Sequence, residues 1–269
     1  MKIALIGYGK MGKMLEAAAL NRGHNITIVI DPIGNTQPVC GAALVPAIPT
    51  TAEEAGDPDL FIEFTRPESA PDIITAALAL GKPIVSGTTG WHKKLPEISA
   101  AVEKAGTALL WSSNFSLGVN LFYRIAAYAA ALADPFAEYD VGGLEVHHRK
   151  KLDSPSGTAK TLMEKVLAAM KRKTKVLWDV PDGKTLDEDT VHYASLRYGT
   201  VPGTHSLYFD SSADTIEITH TARSREGFAS GAVIAAEWLA CSEMGEIRRA
   251  GETRRRIFTM DDVLIDILP

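Results

Sequence analysis

The chain has 269 residues, which at roughly 150 residues per domain suggests two domains or one large one. Hydrophobic residues make up 46% and charged residues 23%, a globular balance that excludes a disordered chain and supplies apolar surface for a sizeable core. The 28 Lys and Arg are outnumbered by 33 Asp and Glu, for a net charge of −5, which argues against a general electrostatic grip on nucleic acid or on an anionic membrane.

Cys40 and Cys241 are too few for a disulfide framework and stand in no metal-ligand spacing, so they read as two buried thiols of a reducing compartment. The apolar start, Ile3 to Ile6, is too short for a secretory signal core. The longest apolar helix candidate, Ile125 to Ala133, is bounded by Arg124 and Asp134 and falls short of the roughly 18 residues that suggest a membrane span. Cytoplasm is the expected location.

In chain order, Lys2 to Ile6 predicts a buried strand, followed by a glycine-rich turn and a helix from Lys10 to Leu20. Asn21 to Asn25 breaks that helix, and Ile26 to Ile30 predicts a second strand stopped by Asp31-Pro32, completing a βαβ unit. After a Pro/Gly/Thr-rich stretch come a strand at Leu60 to Phe64, a helix at Pro67 to Leu80, a strand at Pro83 to Ser86, a helix at Pro96 to Ala105 and a strand at Ala108 to Trp111. Strand and helix alternate as in an open, mainly parallel sheet covered by helices.

Beyond Phe115 the pattern changes. An Ala-rich helix, Val119 to Leu132, leads to alternating segments at Gly143 to His148, Val191 to Arg197, His205 to Phe209 and Thr215 to Thr221, which predict a second sheet of more antiparallel character. A helix at Gly157 to Met170 interrupts them, and the Lys171-Arg172-Lys173 run reads as its solvated, dipole-complementing end. A last helix spans Phe228 to Ala240, and the tail, ending in the apolar Val263-Leu264-Ile265, is expected to fold back onto the first domain.

Two stretches carry chemistry. Gly7-Tyr8-Gly9-Lys10-Met11-Gly12 fits G-x-G-x-x-G between a strand and a helix, with Asp31 about twenty residues further on at the end of the next strand. That context predicts a dinucleotide site: helix amides hold a pyrophosphate while the Asp31 carboxylate accepts from ribose hydroxyls. Asp31 favours NADH by repelling a 2′-phosphate, and Lys10 and Lys13 offset that repulsion toward NADPH. The second stretch runs from Glu145 to Thr158. His147 and Lys151 are reasonable proton donors for reduction of a double bond, and Arg149, Lys150 and Lys151 offer positive charge. Ser156, Gly157 and Thr158 supply hydroxyl and backbone donors at a helix start, suited to carboxylates. A small multi-carboxylate substrate fits both halves. His147 and His148 serve one ligand only if the chain bends between them, and two adjacent histidines without a third ligand predict no metal site.

Gly7 to Gly12, Phe64-Thr65-Arg66-Pro67-Glu68, Gly87-Thr88-Thr89-Gly90, Ser113-Asn114-Phe115-Ser116 and Glu145 to Thr158 together resemble the motifs of the 4-hydroxy-tetrahydrodipicolinate reductase (dihydrodipicolinate reductase) family, from the first strand into the helix after Phe228. The resemblance implies a Rossmann-like, doubly wound, mainly parallel α/β domain over residues 1–117 and 226–269. It also implies an α+β domain with a mixed sheet over residues 118–225, for substrate binding and assembly of a homotetramer. It casts His147 as the catalytic proton donor or acceptor, Lys151 as the proton donor beside it, His148 as a substrate ligand and Gly157 and Thr158 as the carboxylate grip. Phe64, Thr65, Gly87, Thr88, Thr89, Ser113, Asn114, Phe115 and Ser116 would join Gly7 to Gly12 and Asp31 in binding the dinucleotide. Read without the family, Gly87 to Gly90 is equally a plain turn. The implied reaction is NADH- or NADPH-dependent reduction of a cyclic dicarboxylate to tetrahydrodipicolinate, in the diaminopimelate route to lysine. Pro32, rather than a basic residue, follows Asp31. The alternatives are another dinucleotide-dependent imine or amino-acid dehydrogenase, and a non-catalytic dinucleotide-binding protein.

Overall fold

The computed structural model describes residues 1–34, 36–178, 183–241 and 256–267. Its elements run β1 (Lys2–Ile6), α1 (Lys10–Asn21), β2 (Asn25–Ile30), β3 (Ala43–Val45), β4 (Leu60–Glu63), α2 (Ala70–Ala79), β5 (Ile84–Ser86), α3 (Leu95–Ala105) and β6 (Leu109–Trp111). There follow α4 (Leu117–Ala133), β7 (Asp140–His147), α5 (Gly157–Ala169), β8 (Lys175–Leu177), β9 (Thr190–Arg197), β10 (Thr204–Asp210) and β11 (Thr215–Thr221). The chain closes with α6 (Glu226–Cys241), β12 (Ile257–Phe258) and α7 (Met260–Ile267). It divides into two compact units, Met1–Ser116 with Glu226–Pro269, and Leu117–Arg225.

In the first unit a seven-stranded sheet has the order β12-β6-β5-β4-β1-β2-β3, every pairing parallel. Ala4, Ile6, Ile28, Ile30, Phe61, Ile84 and Leu109 face one core, with Ile74, Leu78, Ile98 and Val102 from α2 and α3. The alternate residues Ile3, Leu5, Val29, Ile62 and Val85 are equally buried, and α1 and α6 pack together with α6 against β4 and β5. Burial on both faces is why these strands read as continuous apolar runs. The order reverses at β1, whose neighbours are β2 and β4, and a crevice opens there at the carboxyl ends of the strands.

The expected tail return is found, with Ile257 pairing Leu109 and Met260, Val263 and Leu264 buried on α7. Asp262 accepts from the Thr259 amide at 2.8 Å and fixes the start of that helix. β3, β8 and β12 have three residues or fewer, too few for a period to show. The helix expected from Pro67 begins at Ala70, because the Ser69 and Ala70 amides both turn back to Arg66 O.

In the second unit a mixed five-stranded sheet has the order β11-β10-β7-β9-β8; β10 is antiparallel to β11 and β7, while β7, β9 and β8 run parallel. Val141, Val191, Tyr193, Leu207 and Phe209 pack with α4 and α5 residues such as Phe122, Ala126, Leu162 and Val166.

Two expectations are corrected. Lys173 is buried rather than solvated, its Nζ donating to Asp140 Oδ1 and Glu188 O at 2.5 Å each, while Arg172 donates to Tyr139 O; because α5 ends at Ala169, the run caps neighbouring loops instead of that helix. Cys40 is half-buried and Cys241, the last residue of α6, is exposed. Among the described residues no helix is long and apolar enough to cross a membrane.

Candidate active site

The glycine loop joins β1 to α1. Gly7 has φ +91°, and a Cβ there would lie 2.2 Å from Phe64 O, so both backbone and packing require glycine. A Cβ on Gly12 would lie 2.2 Å from Gly7 O. Gly9 differs: its hypothetical Cβ meets nothing within 4 Å, which leaves open the side from which a ligand approaches the backbone. Helix α1 has Gly9 at its N-cap, with no side-chain cap and no acidic residue in its first turn, and it carries Lys10 and Lys13 there. Uncapped amides and cations at the positive end of a helix dipole oppose helix stability unless an anion neutralises them. The loop therefore fits a pyrophosphate.

Beside the loop lies a cleft of about 900 Å³ whose walls include Gly7, Gly9, Asp31, Phe64, Thr65 and Arg66. A smaller hollow of about 360 Å³ is bounded by Lys10, Met11, Phe64, Thr65, Thr88 and Thr89. Asp31 accepts from the Tyr8 amide at 2.6 Å through one oxygen and from the Ile33 amide at 2.9 Å through the other, so it braces the glycine loop as well as facing the cleft. Tyr8 contributes backbone rather than its phenol: the ring is buried, its hydroxyl donates to Glu16, and burial together with that carboxylate pushes its pKa up to about 12.

Glu63 organises the opposite wall. Wholly buried at the end of β4, its carboxylate accepts from the Thr65 amide at 2.7 Å, the hydroxyls of Thr65 and Thr88 at 2.5 Å, and Ser86 Oγ at 2.6 Å. Sequence reasoning missed it, since an acid inside an apolar strand carries no spacing signal. Gly87 makes room for Phe64, whose ring would lie 2.1 Å from a Cβ at 87. Ser113 is exposed, while Asn114, Phe115 and Ser116 are buried; Phe115 reaches the cleft through its ring contact with Phe64, 5.9 Å between centroids.

In the second unit the two-residue period of strands does the assembling. Val141, Gly143, Glu145 and His147 on β7 share a face, and the register places Tyr193, Ser195 and Arg197 of β9 beside the last three and Leu207 and His205 of β10 beside Gly143 and Glu145. The face is apolar where α4 and α5 cover it and becomes polar toward its end. Glu145 is fully buried; its Oε1 accepts from Arg197 Nη2 at 2.7 Å and from Ser195 Oγ and the Ser156 amide at 2.9 Å each. Burial opposes ionisation of this carboxyl, but the bonds from Ser156, Arg197 and Ser195 outweigh it and hold the pKa below the ordinary glutamate value. Burial lowers the pKa of His147 against the pull of Glu145 and brings His205 down to about 4, so both imidazoles are neutral at pH 7.

β7 ends at His147, and the Lys151 amide donates to His148 O at 3.0 Å. The chain turns directly after the two histidines. His148 and Lys151 are half-buried, and Lys151 Nζ pairs with Asp153 at 2.9 Å. The Ser156 hydroxyl caps α5, accepting from the Ala159 amide at 3.1 Å; Gly157 is exposed and Thr158 half-buried at the helix start. Arg197 and His205 were also missed, lying some fifty residues from His147 with no motif of their own. Glu145, His147 and His205 each offer one donor atom within 4.8 Å of the others, a spacing compatible with a metal ion. Arg197 already neutralises this carboxylate, and a second cation meets the field of Lys151 as well.

An uncapped glycine loop at the switch point of a doubly wound parallel sheet, followed by a separate unit in which Glu145, His147 and His205 are buried together, fits the class of dinucleotide-dependent oxidoreductases. Comparison with known proteins narrows the class. Residues 1–115 match the family model described as dihydrodipicolinate reductase, N-terminus, and residues 118–264 the one described as dihydrodipicolinate reductase, C-terminus. The chain belongs to the dihydrodipicolinate reductase family. It is 37% identical to the 4-hydroxy-tetrahydrodipicolinate reductase of Christiangramia forsetii over 99% of both chains. To the enzyme of the same name from Methanoculleus marisnigri it is 35% identical, over 94% of this chain and 99% of that one. Among solved structures, the dipicolinate-bound dihydrodipicolinate reductase from Paenisporosarcina sp. TG-14 shares the fold, with TM-score 0.74 at 20% identity over 100% of this chain and 99% of that one. The apo scyllo-inositol dehydrogenase of Lactobacillus casei aligns with TM-score 0.58 at 10% identity over 94% and 90%.

Proposed function

We propose that the chain reduces 4-hydroxy-tetrahydrodipicolinate, with loss of water, to tetrahydrodipicolinate in the diaminopimelate route to lysine. The observation that carries this reading is the Glu145 to Thr158 segment, which folds so that one buried carboxylate faces His147 and also receives the amide of Ser156 at the helix start. NAD(P)H, held by Gly7 to Gly12, Asp31, Phe64, Thr65, Gly87 to Thr89 and Ser113 to Ser116, supplies the hydride when bound. His147 provides the proton that accompanies it, and Lys151 assists from its place beside Asp153. Gly157 and Thr158 bind one substrate carboxylate with amide and hydroxyl donors, Ser156 fixing the helix start beneath them, and His148 contacts the ring. Arg149 and Lys150, both exposed, raise the local positive potential for a dicarboxylate.

Asp31 makes NADH the preferred cofactor, with Lys10 and Lys13 keeping NADPH usable. Residues 1–117 and 226–269 serve the dinucleotide, and 118–225 serve the substrate and a homotetramer built through the second sheet, whose Leu196 and Ile216 are half or more exposed in the single chain. The cytoplasm is the compartment this cofactor chemistry suits. The test is oxidation of NADH and NADPH followed at 340 nm (the reduced nicotinamide absorbance), with the substrate generated in place from pyruvate and aspartate semialdehyde by its synthase. Substrate-dependent oxidation is expected; no oxidation of either cofactor beside an active synthase control overturns the reading. Light scattering on the eluted protein checks the tetramer.

A further inference from the structure

The environment of His147 contains an unfinished contact. Glu145 Oε1 is saturated by three donors, whereas its Oε2 has no hydrogen-bond partner although fully buried, and His147 Nδ1 is likewise buried without one. The two atoms face each other at 3.4 Å. Leaving a buried polar atom unpaired is costly, and a hydrogen bond between these two would satisfy both. The other side of the imidazole is cleared by Gly203, where a Cβ would lie 3.0 Å from His147 Nε2.

We infer that Glu145 is a positioning residue for the reaction: it holds His147 with Nδ1 protonated toward Oε2 and so directs Nε2 away from the core as the atom that exchanges the proton. The inference rests on the proposed role of His147. A carboxylate behind an imidazole sets the tautomer and stabilises the imidazolium. Here the carboxylate also receives the Ser156 amide at 2.9 Å, so one side chain fixes both the proton-transfer group and the start of the carboxylate-binding helix. Arg197 keeps that carboxylate ionised without touching Oε2. The charged and titratable groups facing His147 are Glu145 from its own strand, Lys151 and Asp153 from the following loop, Arg197 from β9 and His205 from β10, with His220 of β11 beyond His205. Glu145 and Asp153 favour its charged form, and Lys151 and Arg197 oppose it.

Two measurements on the full-length chain decide the matter. Nitrogen NMR of 15N-histidine-labelled wild-type protein is expected to show neutral His147 protonated on Nδ1; a bare Nδ1 with protonated Nε2 overturns the inference and needs no variant. Glu145→Gln preserves shape and removes the charge. It is expected to lower kcat by about 10- to 100-fold, leave the NADH Kd unchanged and move the pH limb of His147 to lower pH, since loss of the negative neighbour disfavours the imidazolium. His147→Gln separates the two readings. If it turns over like wild type, His147 has no catalytic role and the inference falls with it. If it is inactive while Glu145→Gln keeps wild-type turnover and an unmoved limb, the inference alone falls.

Discussion

Replacing Glu63 by alanine tests whether one buried carboxylate holds the wall of the dinucleotide cleft. Four hydrogen bonds end on it, from the Thr65 amide and the hydroxyls of Thr65, Thr88 and Ser86. At a net value of about 1 kcal/mol each, their loss amounts to about 4 kcal/mol. The Thr65 amide retains a second acceptor, Thr88 Oγ1 at 2.8 Å, which reduces the expected loss to about 3 kcal/mol. For a unit of this size 1 kcal/mol corresponds to about 2–4 °C, so Tm should fall by about 6–12 °C. Glu63→Gln keeps one carbonyl oxygen for the threonine side and should lose about half as much. Because Thr65 and Thr88 both border the hollow beside Lys10 and Met11, NADH affinity should weaken by about tenfold, equivalent to about 1.4 kcal/mol. Calorimetry gives the first quantity and fluorescence titration with NADH the second. A Glu63→Ala protein that melts within about 2 °C of wild type and binds NADH equally well refutes the reasoning.

Gly9→Ala should leave Tm unchanged, since the added Cβ meets only open space, yet weaken NADH binding; Gly12→Ala should lower Tm as well, with its Cβ 2.2 Å from Gly7 O. Equal melting of the two variants would contradict this division. Lys151→Ala should lower turnover by about 10² to 10⁴ with NADH binding nearly unaltered, and unchanged kcat removes it from proton transfer. Asp31→Ser should shift kcat/KM toward NADPH; a wild-type preference for NADPH above about tenfold would refute the role given to Asp31. Glu237 has its pKa lowered from 4.5 by the Arg22 hydrogen bond and, secondarily, His24. Its contribution to stability is therefore present above pH 4.5 and lost as pH falls through the depressed value. The stability gap between wild type and Glu237→Gln should close in that window when followed by urea unfolding.

The first unit was legible because its rules are local. A glycine pattern between a strand and a helix, with an acid after the next strand, already contains the backbone constraints that the structure displays at Gly7 and Gly12. The tail's return was visible only as an apolar segment needing burial; its partner β6 could not be read, since two residues, Ile257 and Phe258, carry no period. Lys173 shows the reverse case. Three consecutive cations read as a solvated run, and only the approach of the Asp140 carboxylate and the Glu188 carbonyl from other segments shows Lys173 buried, with Asp140 neutralising it.

What the sequence by itself determined was the class of each unit and the placing of the residues proposed to bind an anion, give a proton and grip a carboxylate, because strand alternation, helix starts and glycine turns are properties of neighbouring residues. Only the tertiary structure decided which groups support them. Register brings Ser195, Arg197 and His205 onto the face that carries Glu145 and His147, and strand pairing brings Ser86 and Thr88 to Glu63. Pairing between strands far apart in the chain is set by the burial of a whole sheet, so the partners of a buried charge cannot be read from the residues beside it.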